Sequence, residues 1–166
     1  MKIAIYPGSF DPITSGHLNI IRRAANIFDK VIVCVMVNSG KHPLFTREER
    51  VSLISQCVSD ISNVEVDSSD ELLASYARKK GIGVIIKGLR AGSDFENEFQ
   101  MALINHKINP DLDTMFLTAE HQYMYLSSST VKELGKYDVD LSDFLPEPII
   151  PIFKQRIADI RQEGEK

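Results

Sequence analysis

A chain of 166 residues is long enough for one domain with a sizeable core, and 43% hydrophobic with 25% charged residues is the make-up of a soluble globular protein. A net charge of −4 disfavours nonspecific binding to nucleic acid, so any phosphate site has to be built from local cations. No apolar run reaches membrane-span length, the N-terminus lacks a signal peptide's apolar segment, and Cys34 and Cys57 have neither disulfide nor metal spacing. The expectation is a cytoplasmic protein that engages neither membrane nor nucleic acid.

Residues 3–6 form an apolar segment of strand length. Leu18, Ile20, Ile21, Ala24, Ala25, Ile27 and Phe28 then take the spacing of one helix face. The stretch Y-P-G-S-F-D-P-I-T-S-G-H at 6–17 is therefore a strand-to-helix loop. Its glycines permit close backbone approach, and Pro7 and Pro12 stiffen it. His17 stands at the helix start, where free N–H groups and the helix dipole favour an anion. Two readings stay open: a phosphate or nucleotide cradle with an imidazole aimed into it, or a tight turn with His17 as a cap.

The run 31–37 is apolar on both faces, as a central parallel strand should be. Thr46 with Glu49 spells a capping box ahead of Val51, Ile54 and Val58. A strand at 64–66 follows, then a second box, Ser68 with Glu71, ahead of Leu72, Leu73 and Tyr76, with Gly81 closing that helix. After a strand at 84–86, Ser93 with Glu96 opens a helix carrying Phe95, Phe99 and Leu103, with Pro110 beyond its end. A strand at 115–117 leads to a helix starting at Ser128 or Ser129, carrying Val131 and Leu134 and stopping at Gly135. A C-terminal helix around 148–161 presents Ile149, Ile152, Phe153, Ile157 and Ile160. No linker or repeat interrupts residues 1–166, so one domain is expected.

Strands alternating with helices predict an α/β, doubly wound, Rossmann-like domain: a five-stranded parallel sheet of order 3-2-1-4-5 flanked by helices. Its ligand crevice lies beyond the carboxyl ends of strands 1 and 4, where the winding reverses. That edge gathers His17, Lys41, Lys87 and Arg90, with hydroxyls from Ser9, Ser127, Ser128 and Ser129. Tyr123 and Tyr125 either flank a base or pack beneath the loop. The sequence contains no G-x-S-x-G elbow, no Walker loop and no G-x-G-x-x-G after strand 1. Asp94, Glu96 and Glu98 read as acids favoured by a helix's first turn rather than as a metal site. Cations and donors without an acid–base pair suit phosphoryl or nucleotidyl transfer, which depends on positioning and charge stabilisation.

The segment G-S-F-D-P-x-T-x-G-H resembles the signature of nucleotidyltransferases with an H-x-G-H-type motif, with Thr14 at the first His position. Together with K-H-P-L-F-T-R-E-E-R at 41–50, G-L-R-A-G-S-D-F-E-N-E at 88–98, Y-L-S-S-S-T-V-K-E at 125–133 and F-L-P-E at 144–147, it is similar to the bacterial phosphopantetheine adenylyltransferases over nearly the whole chain. The resemblance implies transfer of AMP from ATP to 4′-phosphopantetheine, giving dephospho-coenzyme A and pyrophosphate. It implies Mg²⁺ held mainly by the ATP phosphates, a cytoplasmic homohexamer arranged as a dimer of trimers, and coenzyme A as feedback inhibitor. Carried over by residue, His17 stabilises the transition state and binds ATP. Ser9, Phe10, Gly88, Leu89, Arg90, Glu98, Tyr123, Met124, Tyr125, Leu126, Ser127, Ser128 and Ser129 hold ATP, while Ser9, Lys41, Leu73 and Lys87 hold phosphopantetheine. Alternatives are a different phosphate acceptor, such as nicotinamide mononucleotide, with adenylyl or cytidylyl transfer, and a nucleotide-sensing module without catalysis.

Overall fold

In the computed structural model, which describes residues 1–37, 42–90 and 92–164, strands β1 (Ile3–Gly8), β2 (Lys30–Met36), β3 (Val64–Ser69), β4 (Val84–Leu89) and β5 (Asp113–Thr118) pair in parallel in the order β3-β2-β1-β4-β5. The expected strand order is the observed one. Helices α1 (Ser15–Ala25), α2 (Arg47–Cys57), α3 (Leu73–Lys80), α4 (Gly92–Ile108), α5 (Ser128–Leu134) and α6 (Ile150–Gly164) complete the chain, with short 3₁₀ turns at His121–Tyr123 and Glu147–Ile149.

Period-two alternation along the central strands divides the core. Ala4, Tyr6, Val31, Val33, Val35 and Ile86 join one cluster with Ile20 and Ile21 of α1, Leu53 and Ile54 of α2, Val131 of α5 and Phe153 of α6. Their neighbours Ile5, Ile32, Cys34 and Ile85 point the other way, into a smaller cluster with Ala74, Tyr76 and Ala77 of α3. Burial pushes the Cys34 thiol up to about 11, consistent with an inert core cysteine.

Local signals in the sequence set most helix ends. Thr46 accepts from Glu49 N–H at 3.2 Å while Thr46 N–H donates to the Glu49 carboxylate at 2.8 Å, a complete capping box. Gly81 takes φ 68°, the left-handed cap that ends α3. The expected Ser68–Glu71 box does not form. Ser68 is the fifth residue of β3, paired with Val35, and α3 begins only at Leu73, whose N-cap Leu72 has no side-chain bond. Strand pairing overrides the capping pattern there, and Ser69 Oγ takes the Glu71 N–H instead. Gly135, after α5, lies against α6: a β-carbon there would fall 2.6 Å from Phe153.

Phe95, Phe99 and Leu103 do share a face of α4, but that face is not core: they are 43%, 46% and 57% exposed, and Met101, Ile104 and Ile108, on the other side of the helix, are exposed as well. Phe95 and Phe99 stack on each other, and Phe95 meets Phe116 of the edge strand β5 edge-on. Among the described residues no helix is long and apolar enough to cross a membrane.

Candidate active site

A pocket of about 510 Å³ opens where the winding reverses, beyond the carboxyl ends of β1 and β4. Its walls come from four places in the sequence: Tyr6 to Phe10 and Thr14 at the end of β1 and in the loop after it, Gly16, His17 and Ile20 on α1, Lys87, Gly88, Arg90, Asp94 and Glu98 around β4 and α4, and Ala119, Tyr123, Leu126, Ser127 and Ser128 after β5.

His17 is both a capping and a pocket residue. It is the third residue of α1; its backbone N–H donates to Thr14 Oγ1 at 3.2 Å, and its Nδ1 accepts the Thr14 N–H at 3.1 Å. A backbone N–H only donates, so Nδ1 is the bare nitrogen and the proton sits on Nε2. Burial, and then the nearby Arg90 charge, depress the imidazole from 6.5 to about 4. At neutral pH the ring is an uncharged donor, held edge-on against Phe10 with centroids 5.1 Å apart. The two readings left open by the sequence are one arrangement: the cap fixes the tautomer and leaves Nε2–H for a ligand.

Two cations on the wall, Lys87 and Arg90, each carry a carboxylate from α4. Lys87 Nζ lies 3.1 Å from Glu98, and Arg90 binds Asp94 through Nε at 2.8 Å and Nη2 at 3.2 Å. Arg90 Nη1 also donates to Leu126 O at 2.9 Å, joining the loops after β4 and β5. Asp94 is thus a site residue that helix-dipole reasoning passed over; its spacing of four from Arg90 was the available signal. Tyr6 is a second. It reads as a strand residue, yet it reaches the pocket with its hydroxyl pKa raised by burial and the Glu98 charge, so it stays protonated.

Of the residues singled out from the sequence, Ser9, Phe10, His17, Lys87, Gly88, Arg90, Glu98, Tyr123, Leu126, Ser127 and Ser128 line this pocket. Ser127 caps α5 by accepting Thr130 N–H at 3.1 Å, and Ser128 Oγ donates to Pro12 O at 2.8 Å. Leu89, Met124, Tyr125 and Ser129 are not among the lining residues; Tyr125 is 58% exposed. Leu73 packs with the smaller core cluster under α3. Lys41 lies outside the described residues. Among the described residues no group of three His, Cys, Asp or Glu side chains could hold a metal ion.

A donor-lined pocket at the switch point of a 3-2-1-4-5 sheet, with a histidine opening α1, defines a nucleotidyltransferase. The chain belongs to the cytidylyltransferase-like family, whose model matches residues 5–134. Similar folds include the nicotinic acid mononucleotide adenylyltransferase of Plasmodium falciparum complexed with NaAD (TM-score 0.63, 15% identity, 96% of this chain and 95% of that one). Another is the bifunctional NMN adenylyltransferase/ADP ribose pyrophosphatase of Francisella tularensis (TM-score 0.66, 14% identity, 99% of this chain and 54% of that one). Within that class the chain belongs to the phosphopantetheine adenylyltransferases. It is 56% identical over 156 residues to the enzyme of that name from Alkaliphilus metalliredigens (strain QYMF), covering 94% of this chain and 99% of the relative. It is 55% identical over 147 residues to that of Caldanaerobacter subterraneus subsp. tengcongensis, covering 89% and 92%.

Proposed function

We propose that this chain transfers AMP from ATP to 4′-phosphopantetheine, yielding dephospho-coenzyme A and pyrophosphate, in coenzyme A synthesis. The observation that carries the reading is a pocket with fixed cations and a neutral imidazole donor in a chain of this family. A phosphate oxygen of the acceptor, already anionic at neutral pH, attacks the α-phosphorus in line. The new P–O bond forms as the bond to the bridging α–β oxygen breaks, and pyrophosphate leaves with that oxygen. The nucleophile needs no general base. His17 Nε2–H donates to charge growing on the α-phosphate oxygens, and Arg90 with the serine-capped start of α5 faces the leaving pyrophosphate. Lys87 receives the acceptor phosphate.

Mg²⁺ enters with ATP as part of the substrate, held by phosphate oxygens and water. Both wall carboxylates, Asp94 and Glu98, are engaged with cations, which suits an ion carried by the nucleotide. The assembly in this reading is a homohexamer, a dimer of trimers; the apolar side chains left exposed on α4 favour self-association of some kind. Coenzyme A fits as feedback inhibitor, since it shares the product's adenylyl and pantetheine ends. A cytoplasmic location follows from that pathway.

Pyrophosphate release from Mg²⁺–ATP tests the reading, with 4′-phosphopantetheine, nicotinamide mononucleotide and glycerol 3-phosphate as rival acceptors. Release with phosphopantetheine alone is expected. Release only with a rival overturns the substrate; ATP binding without release on any acceptor overturns catalysis.

A further inference from the structure

Two buried charges stand behind the pocket without lining it. Asp11 is 6% exposed and Arg50 4%. Asp11 Oδ2 accepts Leu44 N–H at 2.8 Å, its Oδ1 accepts Phe45 N–H at 2.9 Å, and Lys132 Nζ lies 3.3 Å from Oδ2. Arg50 answers from α2: Nη1 donates to Ser9 O at 2.9 Å and Nε to Thr46 O at 3.3 Å. The loop after β1 therefore grips the turn before α2, and α2 grips the loop in return.

Phe10 lies between the two grips. Its φ is 46°, in the left-handed region that a bulky side chain adopts only where its surroundings impose it. That turn sets the Phe10 ring edge-on to His17, 5.1 Å away, and to Tyr6, 5.4 Å away, and leaves Ser9 on the pocket wall. Burying two charges is unfavourable unless each is fully satisfied, and apolar side chains could fill the same space. What charge adds here is direction. The guanidinium fork fixes two carbonyls at once, and the carboxylate holds two successive N–H groups.

We propose that Arg50 and Asp11 are positioning residues for the transfer reaction. Their reciprocal clasp imposes the turn at Phe10 and, through the Phe10 ring, the aim of the His17 imidazole. The inference rests on the adenylyl-transfer reading, in which His17 acts on the transition state. A clasp that acts through His17 has nothing left to position once the imidazole is gone, so its effect must be non-additive with His17→Ala. A clasp that merely held the fold would multiply with it.

The test measures kcat, KM for ATP and melting temperature for the wild type, Arg50→Lys, His17→Ala and the double variant. Wild-type turnover with phosphopantetheine is established first; its absence is a failure of the functional reading and leaves the clasp to be read on whichever acceptor turns over. Arg50→Lys keeps the charge and loses the fork. It is expected to lower kcat at least about tenfold, the scale of a sub-ångström misalignment, with KM for ATP within about threefold. The double variant is expected within about threefold of His17→Ala. An unchanged kcat in Arg50→Lys, or losses that multiply in the double variant, overturns the proposal. Should Arg50→Lys not fold, Asp11→Asn, which keeps shape and one acceptor oxygen, is judged by the same criteria.

Discussion

Replacing His17 separates its two jobs. The imidazole closes a capping box with Thr14 and presents Nε2–H to the pocket. His17→Ala removes both. Loss of one preorganised donor to a developing oxyanion costs about 10²–10³ in kcat, or roughly 2.7–4 kcal/mol, with a far smaller change in ATP affinity. The same substitution leaves the Thr14 N–H without its 3.1 Å partner in a residue only 1% exposed. A lost cap costs about 1 kcal/mol, which in a chain of this size lowers Tm by roughly 2–4 °C. His17→Gln is the control, because Gln at the third helical position completes a capping box. The Gln variant is expected to recover most of the Tm loss while kcat stays at least about tenfold down. Pyrophosphate release and thermal melts on the three proteins decide it. If His17→Ala keeps kcat within threefold of wild type, the imidazole is a cap and the donor argument is wrong.

The depressed imidazole also governs acid stability. With a pKa near 4 when folded and 6.5 when unfolded, the unfolded chain binds the extra proton between those values, so stability falls as pH drops from about 6.5 toward 4. His17→Gln should flatten that part of a Tm-against-pH curve, and an unchanged slope would contradict the burial of a neutral ring. Gly135→Ala places a β-carbon 2.6 Å from Phe153 Cε1 and 3.2 Å from Ile157. Phe153 is itself 1% exposed and has little room to give, so urea melts should show about 1–3 kcal/mol of destabilisation with the active site intact. Phe99→Glu with Leu103→Glu, on the uncovered α4 face, should lower the mass seen by light scattering; an assembly of unchanged mass would place the interface elsewhere.

Much of the site could be read before folding, because it is written in short segments. The Thr46–Glu49 box and the Gly81 stop need only neighbours within four residues, and both form. The Ser68–Glu71 box used the same grammar and failed because Ser68 was already claimed by pairing with Val35, a partner 33 positions away. Periodicity correctly grouped Phe95, Phe99 and Leu103 on one side of α4. It does not say what lies opposite, and those residues face outward. Asp94 and Tyr6 were missed for a related reason: each has an ordinary local explanation, as a first-turn acid and as a strand residue.

The sequence by itself determined the strand order, the edge of the sheet where the pocket opens and the chemical character of that edge. Those follow from hydrophobic period, right-handed crossovers and motifs that sit in single loops, all properties of local sequence and chain handedness. Tertiary structure alone decided which charges are free and which are spoken for. Lys87 and Arg90 meet Glu98 and Asp94, Asp11 reaches Leu44, Phe45 and Lys132, and Arg50 reaches Ser9. A charge's partner and the solvent it loses depend on distance in space, and even the uncharged state of His17 comes from burial and from Arg90, 73 positions along the chain.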